Sequence, residues 1–537
     1  MAIMDCEDAS GERMQTEPAL AAPTRRVLAY PLCLLGVAIV ALLARLHGIG
    51  DKPFWMDEIT TLQRSSMSLH GIVTDSLSFH HLPAYFVLES WLVPFGNTEI
   101  VLRLPSALFG TVSCMALFGI GCSLAGLRAG VLAGLLMALS PLQVQYGQEA
   151  RSYAMVTCLI SIALWGLVKL ACDPQAASRG WRDPRGARWA WAAYGLGTLA
   201  AMNVLSVALF WLIAANLAAP AIARHRSADG RRFLSDWLLV NTAIVLVSLP
   251  SFMAMYFATR THLTEGLDWI PPLNPARIWS AIASVYLMRH SSLISLRLLK
   301  DGVPLLALVV AVLGTFGLLH LARRRTALIV LALALLTLPL SLLALSLITP
   351  VWMPRFVLWS AAPFFVLAGT GLAALPRRWQ VPVIGVVTVT ALVNLAPYYQ
   401  EETKPRWDLA AATLQAGLQE DDLVLVDDPW AVKMMNIYLS RIGADLPPEG
   451  WTVDRSVAQE RLSNGGQVWA VHGRVGQADK ESVAEFRGSL APFGQPAAAM
   501  REGQDILVVQ FHPTTPERHC SPGWRAACGW LLHRVED

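Results

Sequence analysis

The chain has 537 residues, of which 54% are hydrophobic and 15% charged, and its formal net charge at pH 7 is +3. So little charge over such a length excludes an ordinary soluble protein and reads as a polytopic membrane protein. The near-neutral balance, with basic residues scattered in short clusters and not in one stripe, gives no support to nucleic-acid binding.

In chain order, residues 1–26 carry Asp5, Glu7, Asp8, Glu12 and Glu17 without apolar periodicity and read as a disordered cytoplasmic tail. The apolar run from Val27 to Leu46 follows Arg25 and Arg26. It lacks the short core and small-residue cleavage site of a removable signal, so it reads as a retained anchor helix. Stretches at 28–46, 104–123, 130–146, 153–171, 189–203, 205–222, 237–257, 303–321, 327–348, 357–375 and 381–397 are each near the length that crosses about 30 Å of hydrocarbon. That makes a membrane domain over 27–397 with about eleven helices.

With Arg25 and Arg26 inside, the alternate connections hold the dense arginine clusters: Arg128, then Arg179, Arg182, Arg185 and Arg188, then Arg224, Arg226, Arg231 and Arg232, then Arg323 to Arg325, then Arg377 and Arg378. The opposite loops are longer and sparser in charge, with Lys52 and Arg64 in one and Arg260, Arg277, Arg289, Arg297 and Lys300 in another. This threading depends on the segment from His81 to Gly96. It carries His81, Pro83, Glu89 and Pro94 and is shorter than a normal span, so it is placed as an interfacial helix in a first outer loop from His47 to Arg103. Between Trp189 and Ile222 two crossings share a length that suits one and a half.

Residues 398–537 are less apolar and read as a soluble α/β domain. Leu423 to Val426, Gln467 to Val471 and Ile506 to Phe511 have strand character, and Leu409 to Leu418, Ala431 to Leu439 and Val457 to Leu462 have helical character. Odd crossing parity puts this domain outside the cytoplasm, where Cys520 and Cys528 are expected to pair if the compartment is oxidising.

The same threading brings four chemically loaded clusters to one face of the membrane: Asp57-Glu58, His80 to Pro83, Gln148 to Tyr153, and Pro354-Arg355. Such groups are costly near lipid, so their gathering implies a shared site. Asp57 at the bilayer edge suits a general base that takes a proton from a hydroxyl; it reads equally as a cap on the helix that follows. Arg151, with Gln148, Glu149 and Tyr153 around it, and Arg355 suit bidentate binding of a lipid phosphate, although boundary arginines also snorkel to the interface. His81 suits a hydrogen bond to substrate or to Asp57. The adjacent His80 and His81 leave room for a divalent cation, though neighbouring imidazoles rarely ligate one ion, and no zinc spacing is present. Glu265, Asp268 and Trp269 could meet a sugar or simply be solvated.

The motifs Trp55-Met56-Asp57-Glu58, His81-Leu82-Pro83-Ala84-Tyr85, Phe95-Gly96 followed by Arg103-Leu104-Pro105-Ser106-Ala107, Gln148 to Tyr153, and Arg355-Phe356 resemble the bacterial GT-C glycosyltransferases. The branch is that of protein O-mannosyltransferases and aminoarabinose transferases of lipid A. The resemblance implies transfer of a hexosyl or pentosyl group from a polyprenyl-phosphate carrier to a glycan, lipid or protein acceptor, normally with inversion, at the outer face of the cytoplasmic membrane. It implies no certain cofactor. Carried over by motif, Asp57 and Glu58 are the catalytic candidates. Arg151 and Arg355 are the phosphate candidates, and His80, His81, Tyr85, Arg103, Gln148, Glu149 and Tyr153 are the further substrate-binding candidates. One departure is that Leu82 separates His81 from Pro83, where relatives often have two prolines. The rival readings are an oligosaccharyl ligase with a diphosphate-linked donor and a lipid or sugar transporter, the latter weakened by spans nearly free of charge and by the lack of an internal repeat.

Overall fold

The computed structural model describes residues 23–172, 188–225, 230–260, 270–289, 303–419, 421–444, 446–473, 486, 488–502 and 506–513. The expectations for most of the acidic tail, for Arg179, Arg182, Arg185, Arg226, Arg297 and Lys300, for Glu265, Asp268 and Trp269, and for the Cys520–Cys528 pair lie outside these residues. The chain divides into two units. The first comprises Met1–Asp51 and Thr60–Thr403, and the second Lys52–Ile59 and Lys404–Asp537.

The apolar stretches read from the sequence lie largely in helices, but the one at 130–146 is broken between Ala138 and Pro141 and the one at 327–348 leaves the helix after Leu345. The helices of the first unit are α1 (Pro23–Leu46), α3 (Leu69–Ser78), α4 (Ala84–Ser90), α5 (Glu99–Ala138), α6 (Pro141–Gly147), α7 (Ser152–Cys172), α8 (Arg188–Val204), α9 (Ala208–His225), α10 (Gly230–Thr259), α11 (Pro275–Tyr286), α12 (Val303–His320), α13 (Arg325–Leu345), α14 (Ala361–Ala374) and α15 (Arg377–Gln400). Helix α2 (Met56–Ser65) begins in the second unit and ends in the first. Among the described residues, eight helices are long and apolar enough to cross a membrane. Peripheral helices carry their apolar residues outward: on α10, Leu238 is 68% exposed and Leu246 63%. In water such a surface is costly; against lipid it is the expected one.

The two spans read at 104–123 and 130–146 are the legs of one hairpin. Helix α5 is interrupted at Ala125 (φ −144°, ψ 19°) and Gly126 (φ 83°, ψ −179°), and the left-handed φ at 126 is one that glycine adopts without a Cβ penalty. A Cβ on Gly121 would meet Gly130 Cα at 2.7 Å, and one on Gly134 would meet the Cys114 carbonyl at 3.0 Å, so the legs run back along each other at backbone contact. Small residues at such crossings are what packing in lipid demands, since no hydrophobic force draws helices together there. The crowded stretch at 189–222 resolves into two helices of 17 and 18 residues, α8 and α9. They are joined to α10 by side-chain hydrogen bonds: Tyr194 Oη donates to Asn241 Oδ1 at 2.8 Å and Trp237 Nε1 to Asn216 Oδ1 at 2.9 Å.

The stretch between Leu46 and Glu99 contains only short helices. Helix α4 has seven residues and rises about 10 Å, too little to cross hydrocarbon, so this segment is not a crossing.

The second unit contains α16 (Trp407–Gly417), α17 (Pro429–Arg441) and α18 (Arg455–Ser463) with a five-stranded mixed sheet. Its strands are β1 (Leu423–Val426), β2 (Trp451–Thr452), β3 (Val468–Gly473), β4 (Ala498–Glu502) and β5 (Ile506–Phe511), in the order β2-β1-β3-β5-β4. β1 pairs in parallel with β2 and β3, and β5 is antiparallel to β3 and β4. The apolar faces of β1, β3 and β5 close on Leu462, Phe486, Leu490 and Phe493.

Helices α12 and α14 cross at mutual glycines. A Cβ on Gly317 would overlap the Leu367 carbonyl, and one on Gly371 the Leu313 carbonyl, both rigid main-chain atoms. Gly317→Val and Gly371→Val are therefore expected to destabilise the membrane unit by about 1–3 kcal/mol or more. Thermal unfolding in detergent, with Gly36→Val as the control where no atom lies within 4 Å, checks this.

Candidate active site

One end of the helix bundle in the first unit is fastened by polar side chains. Arg45, near the end of α1, is fully buried and donates from Nη1 to Ala41 O at 3.0 Å and Ala138 O at 3.5 Å. Gln148 Nε2 donates to Arg45 O at 3.0 Å and His47 O at 2.6 Å, taking up carbonyls that the end of α1 leaves open. Arg103, 1% exposed, donates from Nη1 to Ile49 O at 2.8 Å. Tyr399, at the end of α15, donates to the Ala44 carbonyl. The ends of α1 and α15 and the starts of α5 and α7 therefore meet, as alternating crossings require.

Two of the expected clusters converge here on one ring. The Arg151 guanidinium lies 5.8 Å and the Arg355 guanidinium 6.0 Å from the centroid of Tyr153, within the range of cation–π attraction. Tyr146 packs edge-on to the same ring at 5.1 Å, and Phe356 lies at 6.4 Å. Arg355 is carried on the 3-10 turn Pro354–Ser360, which Gln143 Nε2 ties down through Leu358 O at 3.1 Å. Glu149 is 2% exposed and accepts from Gln145 Nε2 at 3.2 Å. Planar guanidinium forks carried on two separate segments beside one ring are the kind of side chain from which a phosphate site is built.

The His81 segment joins this end. Tyr85, buried on α4, lies 3.4 Å from Ser106 Oγ, and that hydroxyl donates to Arg151 O at 3.3 Å. Burial, then the charge of Glu89, holds the Tyr85 phenol well above its ordinary range, so it stays a neutral donor at physiological pH. Arg64 is 2% exposed, pairs with Asp75 at 2.6 Å and lies 4.5 Å from the Phe86 ring. Burial lowers its proton affinity, the Asp75 bond opposes that, and the charge of Arg151 adds to the lowering. His81 Nδ1 bonds the Phe79 carbonyl at 2.5 Å and must donate to it, which leaves Nε2 as the acceptor of the neutral ring.

His80 has a backbone role. It follows the C-cap of α3 with φ 60°, and the His81 N–H closes on Ser76 O at 2.9 Å, the pattern of a Schellman stop.

Asp57 and Glu58 belong to the second unit. Asp57 is half-buried in the first turn of α2, within the helix and not at the position before it. Glu58 is fully buried, forms an ion pair with Lys404 Nζ at 2.7 Å and accepts the Trp55 N–H at 3.4 Å. That last bond is half of a capping box, so the helix-cap function considered for Asp57 is carried by its neighbour. Among the described residues, no three His, Cys, Asp or Glu side chains gather as a metal site needs.

Several participants carry weaker sequence signals. Arg45 stands inside the first apolar run, where an ionisable group is a signal in itself. Arg64 reads from the sequence only as a loop charge. Lys404 and Tyr438 carry no local signal.

Residues 83–249 match the model of a family described as dolichyl-phosphate-mannose-protein mannosyltransferase. No curated protein matches the chain. Among solved structures, ArnT from Cupriavidus metallidurans in the apo state is similar with a TM-score of 0.55 at 14% identity, covering 93% of this chain and 100% of that one. The same protein bound to undecaprenyl phosphate is similar with a TM-score of 0.54 at 14% identity, covering 92% and 100%. The fold is thus shared along nearly the whole of both chains, and the resemblance drawn from the motifs holds.

His80→Gly separates backbone from ligand chemistry at the paired histidines. Glycine removes the cost of a left-handed φ, so this variant is expected to keep its stability or gain up to about 1 kcal/mol. A thermal melt checks it, and a marked loss would show that the imidazole itself holds the loop.

Proposed function

We propose that this chain is a GT-C-type glycosyltransferase of the membrane that moves a sugar from a polyprenyl-phosphate carrier to an acceptor hydroxyl. The reaction is placed at the outer face of the cytoplasmic membrane, with the C-terminal unit on that side. The observation that carries this reading is the convergence of Arg151 and Arg355 on Tyr153 at one end of the bundle. The similar ArnT fold with undecaprenyl phosphate bound supports a carrier of this class.

The chemistry needs few groups. The acceptor oxygen attacks the anomeric carbon, the bond from that carbon to the phosphate oxygen breaks, and the configuration inverts. The acceptor proton passes to the Asp57 carboxylate, and the electron pair of the broken bond leaves with the phosphate. A lipid phosphate departs as a stable anion and needs no acid, so positive charge replaces a proton donor. Arg151 and Arg355 supply that charge as planar forks, and Tyr85, His81, Gln148 and Arg103 shape the site or hold the loops that do. Glu58 orients the start of α2 and takes no proton.

Asp57→Asn is expected to lower transfer by about 10²–10⁴-fold while binding of polyprenyl phosphate persists. Arg151→Lys and Arg355→Lys are expected to weaken donor use by about 10- to 100-fold, the worth of a charged hydrogen bond. Labelled polyprenyl-phosphate sugar with purified protein measures both. Full turnover by Asp57→Asn would reassign the base, a released lipid diphosphate would favour a ligase, and translocation without transfer would favour a transporter.

A further inference from the structure

The segment Lys52–Ile59 follows the first span in sequence, yet it is part of the unit built from Lys404 onward. Its fastening is directional. Phe54 is fully buried, and its backbone N–H donates to the Tyr438 hydroxyl at 2.6 Å. The Arg441 guanidinium lies 5.2 Å from the Phe54 ring and 4.9 Å from that of Tyr438, so one helix, α17, supplies both contacts. Beyond Asp57, the Glu58 carboxylate meets Lys404 Nζ at 2.7 Å, with the lysine side chain 7% and the glutamate 0% exposed. The oxygen that meets the lysine also accepts the Trp55 N–H. Asp57 is therefore bracketed by two anchors, one on the main chain of Phe54 and one on the side chain of Glu58.

Apolar packing alone would hold such a loop by area and would tolerate slippage. A buried hydrogen bond to main chain and a buried ion pair do not, because a shift in register leaves a donor or a charge without its partner. A base must reach its proton within hydrogen-bond distance, and misplacement by an ångström is enough to slow the chemical step about 100-fold. We infer that the C-terminal unit serves as a clamp that sets the position of Asp57, with Tyr438, Arg441 and Lys404 as positioning residues for its proton transfer. The inference rests on the assignment of Asp57 as base made above.

The test uses the full-length protein and labelled polyprenyl-phosphate sugar. Tyr438→Phe removes one oxygen and keeps the packed ring. It is expected to lower kcat about 10- to 100-fold with the donor KM nearly unchanged and the melting temperature modestly lowered by the main-chain donor it leaves behind. In an Asp57→Asn background the same substitution is expected to add no further loss to the residual rate, since there is no longer a base to misplace. The exchange Glu58→Lys with Lys404→Glu should recover part of the kcat lost by either change alone.

The clamp is overturned if Tyr438→Phe and Lys404→Met both turn over at the wild-type rate while Asp57→Asn is inactive. It is equally overturned if Tyr438→Phe slows the Asp57→Asn enzyme as much as it slows the wild type. An Asp57→Asn enzyme at full rate sinks the base assignment itself, and the clamp with it.

Discussion

A guanidinium taken out of water must be given acceptors, and in the first unit that requirement fastens one end of the helix bundle. Arg45 donates to a carbonyl of its own helix and to one of α5, Arg103 to the carbonyl of Ile49, and Arg64 to the Asp75 carboxylate. All but the bond within α1 join separate segments. Were these cations replaced by leucines, the spans would still be apolar enough to insert, but the start of α5 would lose its directional tie to the end of α1, leaving Gln148 to hold the start of α7 there.

On that frame Arg151 and Arg355, carried on separate segments, share the ring of Tyr153 as a neighbour. Two guanidinium forks at one end of the bundle concentrate positive field where an anion gains most. The proposed base, by contrast, lies on a loop that belongs to the second unit.

Where the sequence was legible, the reason is periodicity or composition. Apolar runs located the eight described helices that are long and apolar enough to span, where the sequence reads about eleven crossings, and the short apolar runs Leu423 to Val426 and Ile506 to Phe511 located two strands at their observed bounds. The hairpin at Gly126 was readable as two spans because its legs are long enough to register separately. The two-residue strand β2 and the strand Ala498–Glu502 were not readable, because one is too short and the other, with Arg501 and Glu502, lacks an apolar pattern. The motif residues named the arginine pair, but no local pattern announces that Phe54 bonds Tyr438 or that Glu58 meets Lys404. Those contacts join positions 384 and 346 residues apart, and only the fold brings them together.

That separation has a consequence for biogenesis. Phe54 and Glu58 emerge from the ribosome long before Tyr438 and Lys404 are made, and at about 5–20 residues per second the delay is on the order of tens of seconds. All the intervening helices must be threaded into the bilayer before the strand-bearing unit can capture its missing piece. Its folding is thus obligatorily late, and the early loop spends that interval with its aromatic residues waiting for a partner not yet synthesised.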